Sequence, residues 1–278
     1  FESPADADTN NEYIVIVQVS DGTNTDTQTI TVTVTDVNDN SPVITSNSGG
    51  STASISYAEN ATSTVTTVTS TDADAGASAT YTISGGADSG DFAISSGALT
   101  FASAPDFESP DDDGTNNEYI VIVQVSDGTN TDTQTLTITV TDVNDNSPVI
   151  TSNSGGSTAS ISYAENATST VTTVTSTDAD AGASTTYTIS GGADSGDFAI
   201  SSGALTFAST PDFESPADAD TNNEYIVIVQ VSDGTNTDTQ TITVTVTDIV
   251  EYATITDVAG WRLLSPTSDN QSYVSLLD

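Results

Sequence analysis

The chain has 278 residues, with 40 Asp and Glu against a single cation, Arg262, no Lys, His or Cys, and a formal charge of −39. That balance excludes a binder of nucleic acid or of an anionic membrane surface, since both need Lys or Arg to displace counterions, and it leaves acid–base catalysis to carboxylates alone. No run of about 18 apolar residues occurs, so no membrane insertion is expected in this segment.

So acidic a chain, poor in aromatics, fits disorder by composition, but its apolar residues are ordered with period two and recur at a fixed interval. Phe1-Glu-Ser-Pro returns at Phe107 and Phe213, a period of 106 residues. Thr45–Ala104 and Thr151–Thr210 differ only at Ala79/Thr185 and Ala104/Thr210. Residues 1–41 read as the end of one repeat, 42–147 and 148–250 as two further repeats, and 251–278 as the start of a different C-terminal module or a capping segment. Because it opens inside a repeat, the sequence is expected to be an excerpt of a longer polypeptide.

In chain order, Tyr119–Ser126 places Tyr119, Val121, Val123 and Val125 on one face, and Thr135–Asp142 alternates Leu136, Ile138 and Val140 with Thr. Shorter strands are predicted at Ala159–Tyr163, Val171–Ser176, Thr186–Ser190, Phe198–Ile200 and Ala204–Phe207, with Gly-Gly, Ser-Gly and Asp-Gly between them. No helix of ten residues is visible. The expected fold is all-β: tandem Greek-key β-sandwiches of immunoglobulin-like architecture, arranged in a rod.

The first full repeat carries five acidic motifs, and the second repeats the first four in the same order. In the first they are Ala58-Glu59-Asn60, Thr71-Asp72-Ala73-Asp74, Asp106-Phe107-Glu108, Val125-Ser126-Asp127-Gly128 and Asp142-Val143-Asn144-Asp145-Asn146. The last also stands at Asp36–Asn40, after an alternating Thr/Val strand. It crowds carboxylates and amides where one repeat ends and the next begins, an oxygen-rich donor set suited to a hard cation. An isolated Asp/Asn loop is most often a turn former; five motifs in register at a fixed period are not explained that way.

These motifs resemble the cadherin repeat, in the form found in large bacterial surface proteins. The resemblance implies about three Ca²⁺ per complete junction, with ligands from both neighbouring repeats. It assigns Glu59, Asp106, Glu108, Asp142 and Asp145, the Asn144 side chain and the carbonyls of Val143 and Asn146, together with Asp178, Asp180 and Asp233, to one junction. For the preceding junction it assigns Glu2, Asp36, Val37, Asn38, Asp39 and Asn40, with Asp72, Asp74 and Asp127. At Asp248-Ile249-Val250-Glu251-Tyr252 both amides of the motif are lost, and the array is expected to stop there. Mg²⁺ is a poorer fit, because it demands a stricter octahedron and keeps its waters.

Other features are weighed against these. Asp218-Ala-Asp220-Thr-Asn222 lacks the Gly and the Glu of an EF-hand and reads as a solvated acidic loop. Asp194, in a Gly-Gly-Ala-Asp-Ser-Gly turn, has no motif role. Ile14, Ile16, Ile120, Ile122, Ile226 and Ile228 point opposite to the core-facing residues. They read either as partly covered by a neighbouring element or as a repeating apolar patch for lateral contact with other copies of the chain. No enzyme is expected. The expected function is a calcium-rigidified extracellular structural stalk or surface fibre; the alternative is a cell-surface adhesin binding itself or carbohydrate. Near-identity of the copies favours the stalk.

Overall fold

A computed structural model describes residues 1–254, 262–266 and 274–276. The chain divides into two compact units, Phe1–Val143 and Asn144–Asp278.

The first unit begins with the antiparallel hairpin β1 (Glu12–Ser20) and β2 (Thr25–Thr33). There follow β3 (Val43–Ile44), β4 (Thr52–Ala58), β5 (Thr66–Thr67), β6 (Ser70–Thr71), β7 (Thr80–Gly85), β8 (Phe92–Ser95), β9 (Ala98–Phe101), β10 (Glu118–Ser126) and β11 (Thr131–Thr141). Strands β4-β11-β10-β7 form one sheet, β5-β9-β8 another, and β3 pairs with β6. Because β4 lies parallel to β11, it must reach its partner by a crossover rather than a tight turn.

Alternation in β10 and β11 decides what faces inward. Tyr119, Val121, Val123 and Val125 are all buried, as are Leu136, Ile138 and Val140, while the intervening Thr face outward. Burial of each such side chain contributes about 1.5–3 kcal/mol. The opposite layer supplies Phe92, Leu99 and Phe101; the Phe101 and Tyr119 rings meet edge to face at 5.1 Å. A polar anchor crosses this core. Gln134, fully buried, donates from Nε2 to the Gly50 carbonyl at 2.9 Å and accepts from Asn47 Nδ2 at 3.1 Å, and Asp132 accepts from the Ile44 amide at 2.8 Å. Strand β11 thereby fixes the segment that follows the Asp36–Asn40 motif.

The second unit repeats the arrangement 106 residues on, with Thr158–Ala164, Thr237–Thr247, Glu224–Ser232 and Thr186–Gly191 as its four-stranded sheet. Its strand at Val171–Ser176 is not continuous. Thr172–Thr173 pairs with Ala204–Leu205, whereas Ser176–Thr177 pairs with Val149–Ile150. Between them the buried Val174 donates its amide to the Gly203 carbonyl at 2.8 Å, so the chain passes from one sheet to another there.

Two acidic side chains outside the motifs are buried in their turns. Asp194 is 5% exposed, and its carboxylate accepts the amides of Ala219 and Ile226, each at 2.7 Å. It holds the bulge beside Gly192, where a Cβ would lie 2.3 Å from the Ile226 carbonyl oxygen. Asp218 is 3% exposed and accepts the amides of Asn222 and Asn223, so one buried carboxylate organises a loop whose other residues, Ala219 to Asn222, are exposed as expected. Both buried carboxylates are occupied by backbone donors, which offsets their desolvation.

Residues 1–36 are identical to 213–248. In the second unit this sequence buries Val227, Val229 and Val231 against the layer of Phe198, Leu205 and Phe207, but in the β1–β2 hairpin the matching Val15, Val17 and Val19 are exposed, because among the described residues no such layer covers that face. In the tail, Tyr252–Thr254, Arg262–Pro266 and Val274–Leu276 pair antiparallel with one another. Gly260 and Trp261, part of the stretch that distinguishes this tail, lie outside the described residues.

Candidate metal centre

Within the first unit, the extended segment Asp36–Ser41 runs past the loop that carries Asp72 and Asp74 and past the β10–β11 turn that carries Asp127. Asp36 Oδ2 accepts the Ala75 amide at 2.6 Å. Asn40 donates its backbone amide to Asp74 Oδ2 at 2.9 Å and its side-chain amide to Asp74 Oδ1 at 2.6 Å. Asp72 Oδ1 accepts the Asp74 amide at 3.0 Å, and Asn38 donates weakly to the Asp127 carbonyl at 3.4 Å. Asp127 Oδ1 accepts the amides of Thr129 and Asn130, each at 2.7 Å. The Asn130 amide bond in particular holds the Asp127 carboxyl below its ordinary pKa, ready to be anionic.

These bonds leave a matched set of oxygens over. Asp36 Oδ1, Asn38 Oδ1, Asp72 Oδ2 and Asp127 Oδ2 are all buried and accept no hydrogen bond. One such acceptor costs about 1–3 kcal/mol when nothing compensates it. All four belong to residues that the motifs single out. Carboxylate oxygens of Asp72, Asp74 and Asp127 lie within 4.8 Å of one another, as do those of Glu2, Asp36 and Asp74, so Asp74 is common to two clusters. Val37 and Asp39 are exposed, and Asp39 accepts from the Asn40 side chain at 3.1 Å.

At its other end the first unit gathers Glu59, Asp106 and Glu108, again within 4.8 Å. Glu59 is 3% exposed and is aimed by two amides, Val143 at 2.7 Å and Phe107 at 2.8 Å. Asp106 accepts the amides of Glu108 and Ser109. Glu108 Oε1 and Asp142 Oδ1 are buried acceptors without a donor. Desolvation, joined by repulsion from Glu59 and Asp142, raises the Glu108 carboxyl to about 7. Carboxylates held together so closely favour whatever positive charge reaches them, proton or metal.

The second unit contains the other half of the motif set in the same form. Asn146 donates from its backbone and side chain to Asp180, the side-chain bond being 2.8 Å. Asp178 Oδ2 and Asp233 Oδ2 are buried acceptors without a donor. Asn236 donates to the Asn146 carbonyl at 2.7 Å, with Asn144 Oδ1 at 3.5 Å, while Asp145 is exposed and accepts from Asn146. At the far end, Glu165, Asp212 and Glu214 cluster, and Glu165 is aimed by the amides of Ile249 and Phe213. There the Asn-bearing segment is replaced, and Glu251 accepts from Asn166 instead.

Of the outward isoleucines, Ile14 and Ile16 are 67% and 66% exposed, Ile120 and Ile226 39% and 38%, and Ile122 and Ile228 are half-buried. The motifs did not disclose Asn130, Asn236, Gln134 or Gln240. The signal for the first two was present in Asp-Gly-Thr-Asn, where the Asn follows the motif Asp by three residues.

The donors are all oxygens, carboxylate, amide or carbonyl, which suits Ca²⁺ with its six to eight ligands. Without His or Cys nearby, a softer transition metal has nothing to prefer here. The residues present therefore fit the ion, and would supply negative charge and preformed acceptors for it.

The cadherin domain family model matches residues 52–141 and 159–247. No curated protein sequence matches the chain. Among solved structures it is similar to protocadherin gamma B2 extracellular cadherin domains 3–6, with a TM-score of 0.65 and 21% identity over 88% of this chain and 61% of that one. It is also similar to the human desmocollin-1 ectodomain (TM-score 0.59, 22% identity, 90% of this chain and 50% of that one) and to mouse cadherin-23 EC22–24 (0.56, 22%, 89% and 78%). The chain thus spans less than two thirds of the first two, and at such identity the likeness speaks for the fold. Cadherin domains are extracellular, non-enzymatic modules of adhesion and architecture, and they generally bind Ca²⁺. Matched by the family model over two nearly identical stretches, the chain belongs to the cadherin domain family.

Proposed function

We propose that this chain is part of an extracellular stalk or surface fibre, of the kind found on bacterial surfaces, whose joints are stiffened by Ca²⁺. The observation that carries the reading is the set of buried, donorless oxygens on Asp36, Asn38, Asp72 and Asp127. Four acceptors facing no donor are costly alone and favourable around a divalent cation. The two clusters that share Asp74 would hold two neighbouring ions, to both of which Asp74 would offer charge. Glu2, Asp36, Asn38, Asp39 and the carbonyls of Val37 and Asn40 are the ligands from the preceding repeat; Asp72, Asp74 and Asp127 are those of the following one.

Equivalence at 106 residues extends the assignment to Glu108, Asp142 and Val143 in one unit and to Asn144, Asp145, Asn146, Asp178, Asp180 and Asp233 in the other, and the carboxylate cluster with Glu108 adds Glu59 and Asp106. About three Ca²⁺ per complete set follow from the family resemblance. A stalk is favoured over a specific adhesin because near-identical copies present the same surfaces repeatedly, whereas a recognition face is needed once.

Calorimetric Ca²⁺ titration of Asp72→Asn beside Asp113→Asn tests the assignment. Both remove one charge, but Asp113 is exposed and belongs to none of the clusters described above. Only Asp72→Asn should weaken binding; equal losses would show that diffuse charge holds the metal.

A further inference from the structure

Asn130 belongs to none of the five motifs, yet its side chain makes one of the shortest contacts to the linker. Its Nδ2 donates to the Asn40 carbonyl at 2.6 Å. In the other unit Asn236 donates to the Asn146 carbonyl at 2.7 Å. Asn40 and Asn146 are the linker residues whose carbonyls the Ca²⁺ reading assigns to the ion.

Asn130 is itself held firmly. Its amide is bound by Asp127 Oδ1 at 2.7 Å, and its carbonyl accepts the Asp127 amide at 3.3 Å and the Ser126 hydroxyl at 3.2 Å. Gly128, at φ +99°, permits the tight turn that joins these residues. The turn that aims Asp127 therefore also aims Asn130. A carbonyl oxygen has two lone pairs, so Asn40 can accept from Asn130 with one and face a cation with the other.

The β1–β2 turn supplies an internal comparison. Asp21-Gly22-Thr23-Asn24 has the same sequence and the same backbone bonds to Asp21. Among the described contacts of Asn24, the side-chain amide turns back onto Asp21 Oδ2 at 3.4 Å. In the other two turns the side-chain amide keeps its contact with Asp127 or Asp233 and in addition reaches the linker carbonyl.

We propose that Asn130 and Asn236 are positioning residues for the Ca²⁺ sites, pinning the linker carbonyls of Asn40 and Asn146 to the turns that carry Asp127 and Asp233. This rests on the Ca²⁺ reading above. A partner that orients a metal ligand is worth about 10–100-fold in affinity when removed.

The test uses the full chain, with Ca²⁺ alone as the probe. Asn130→Ala should weaken the calorimetric affinity of the ions at the first joint about tenfold, with Asn130→Gln, which keeps a donor, recovering part of it. Thr129→Ala, at an exposed neighbour that contributes only its backbone, should match wild type. Hydrogen exchange in EDTA gives a readout independent of the metal. Residues 36–41 should exchange faster in Asn130→Ala while β10 and β11 keep their protection. Peptides that begin at Val32 differ in mass from those that begin at Ile138, so the two linkers are resolved. Asn236→Ala repeats the test in the other unit should the first variant fail to fold. Wild type that takes up no Ca²⁺ overturns the metal reading and the proposal together. Wild type that binds, with variants of unchanged affinity and unchanged linker exchange, overturns the positioning role alone.

Discussion

Asp74→Asn is the substitution with the largest expected consequence, since Asp74 is 6% exposed and lies in two carboxylate clusters at once. Extracellular modules bind Ca²⁺ at about 10⁻⁴–10⁻³ M. At 10 mM Ca²⁺ and a Kd near the tight end, each ion stabilises the fold by about 2.7 kcal/mol. Two ions then give roughly 5.5 kcal/mol, which is about 20–25 °C in Tm for a domain of about 100 residues. Asp74→Asn should remove most of this increment, and Asp36→Asn, which touches one cluster, about half. In EDTA, Asp74→Asn loses an acceptor for Asn40, worth about 1 kcal/mol, but is relieved of like-charge repulsion, so its Tm should stay close to wild type. Ions held at Glu59, Asp106 and Glu108 contribute equally to all three proteins and cancel. Scanning calorimetry with and without Ca²⁺ reads the difference. An Asp74→Asn protein whose Tm rises with Ca²⁺ as much as wild type would refute the shared-ligand reasoning.

The pH dependence follows from Glu108, whose carboxyl is raised to about 7 in the metal-free fold. A raised acid destabilises the fold above that pH and is relieved as pH falls toward its ordinary value, so in EDTA the chain should melt higher at pH 5.5 than at pH 8. Ca²⁺ must displace that proton, so affinity at this cluster should fall as pH drops below about 7, with proton release measurable by calorimetry in two buffers. Lateral packing is tested by changing Ile120, Ile122, Ile226 and Ile228 to Thr. With Ile120 and Ile226 already three-fifths covered, each has only about 0.6–1.2 kcal/mol of burial left to contribute. Sedimentation in Ca²⁺ should show bundles of wild type that the variant does not form; a wild type that stays monomeric at high concentration would remove the fibre version and leave the stalk.

The sandwich was legible because β10 and β11 write their inward and outward faces directly into the alternation of Val and Thr. Short pieces were harder. Val171–Ser176 reads as one strand because nothing in six residues marks the point where Val174 leaves one sheet for another. The cluster residues were legible as types and spacings, but the burial of two other carboxylates was not. Asp194 and Asp218 look like ordinary turn residues in sequence, and only the backbone amides that converge on them, from residues up to 32 positions away, show why they are buried. The amides of Asn130 and Asn236 were hidden for the same reason: their partners lie 90 positions distant in sequence.

The most direct test of the calcium-stiffened stalk is small-angle X-ray scattering of the full chain in millimolar Ca²⁺ and in EDTA, with melting curves on the same samples. In Ca²⁺ a longer, narrower distribution of interatomic distances and a higher Tm are expected, because ions between repeats restrain bending and bind only the folded state. Scattering profiles and melting temperatures that do not change between the two conditions would contradict it.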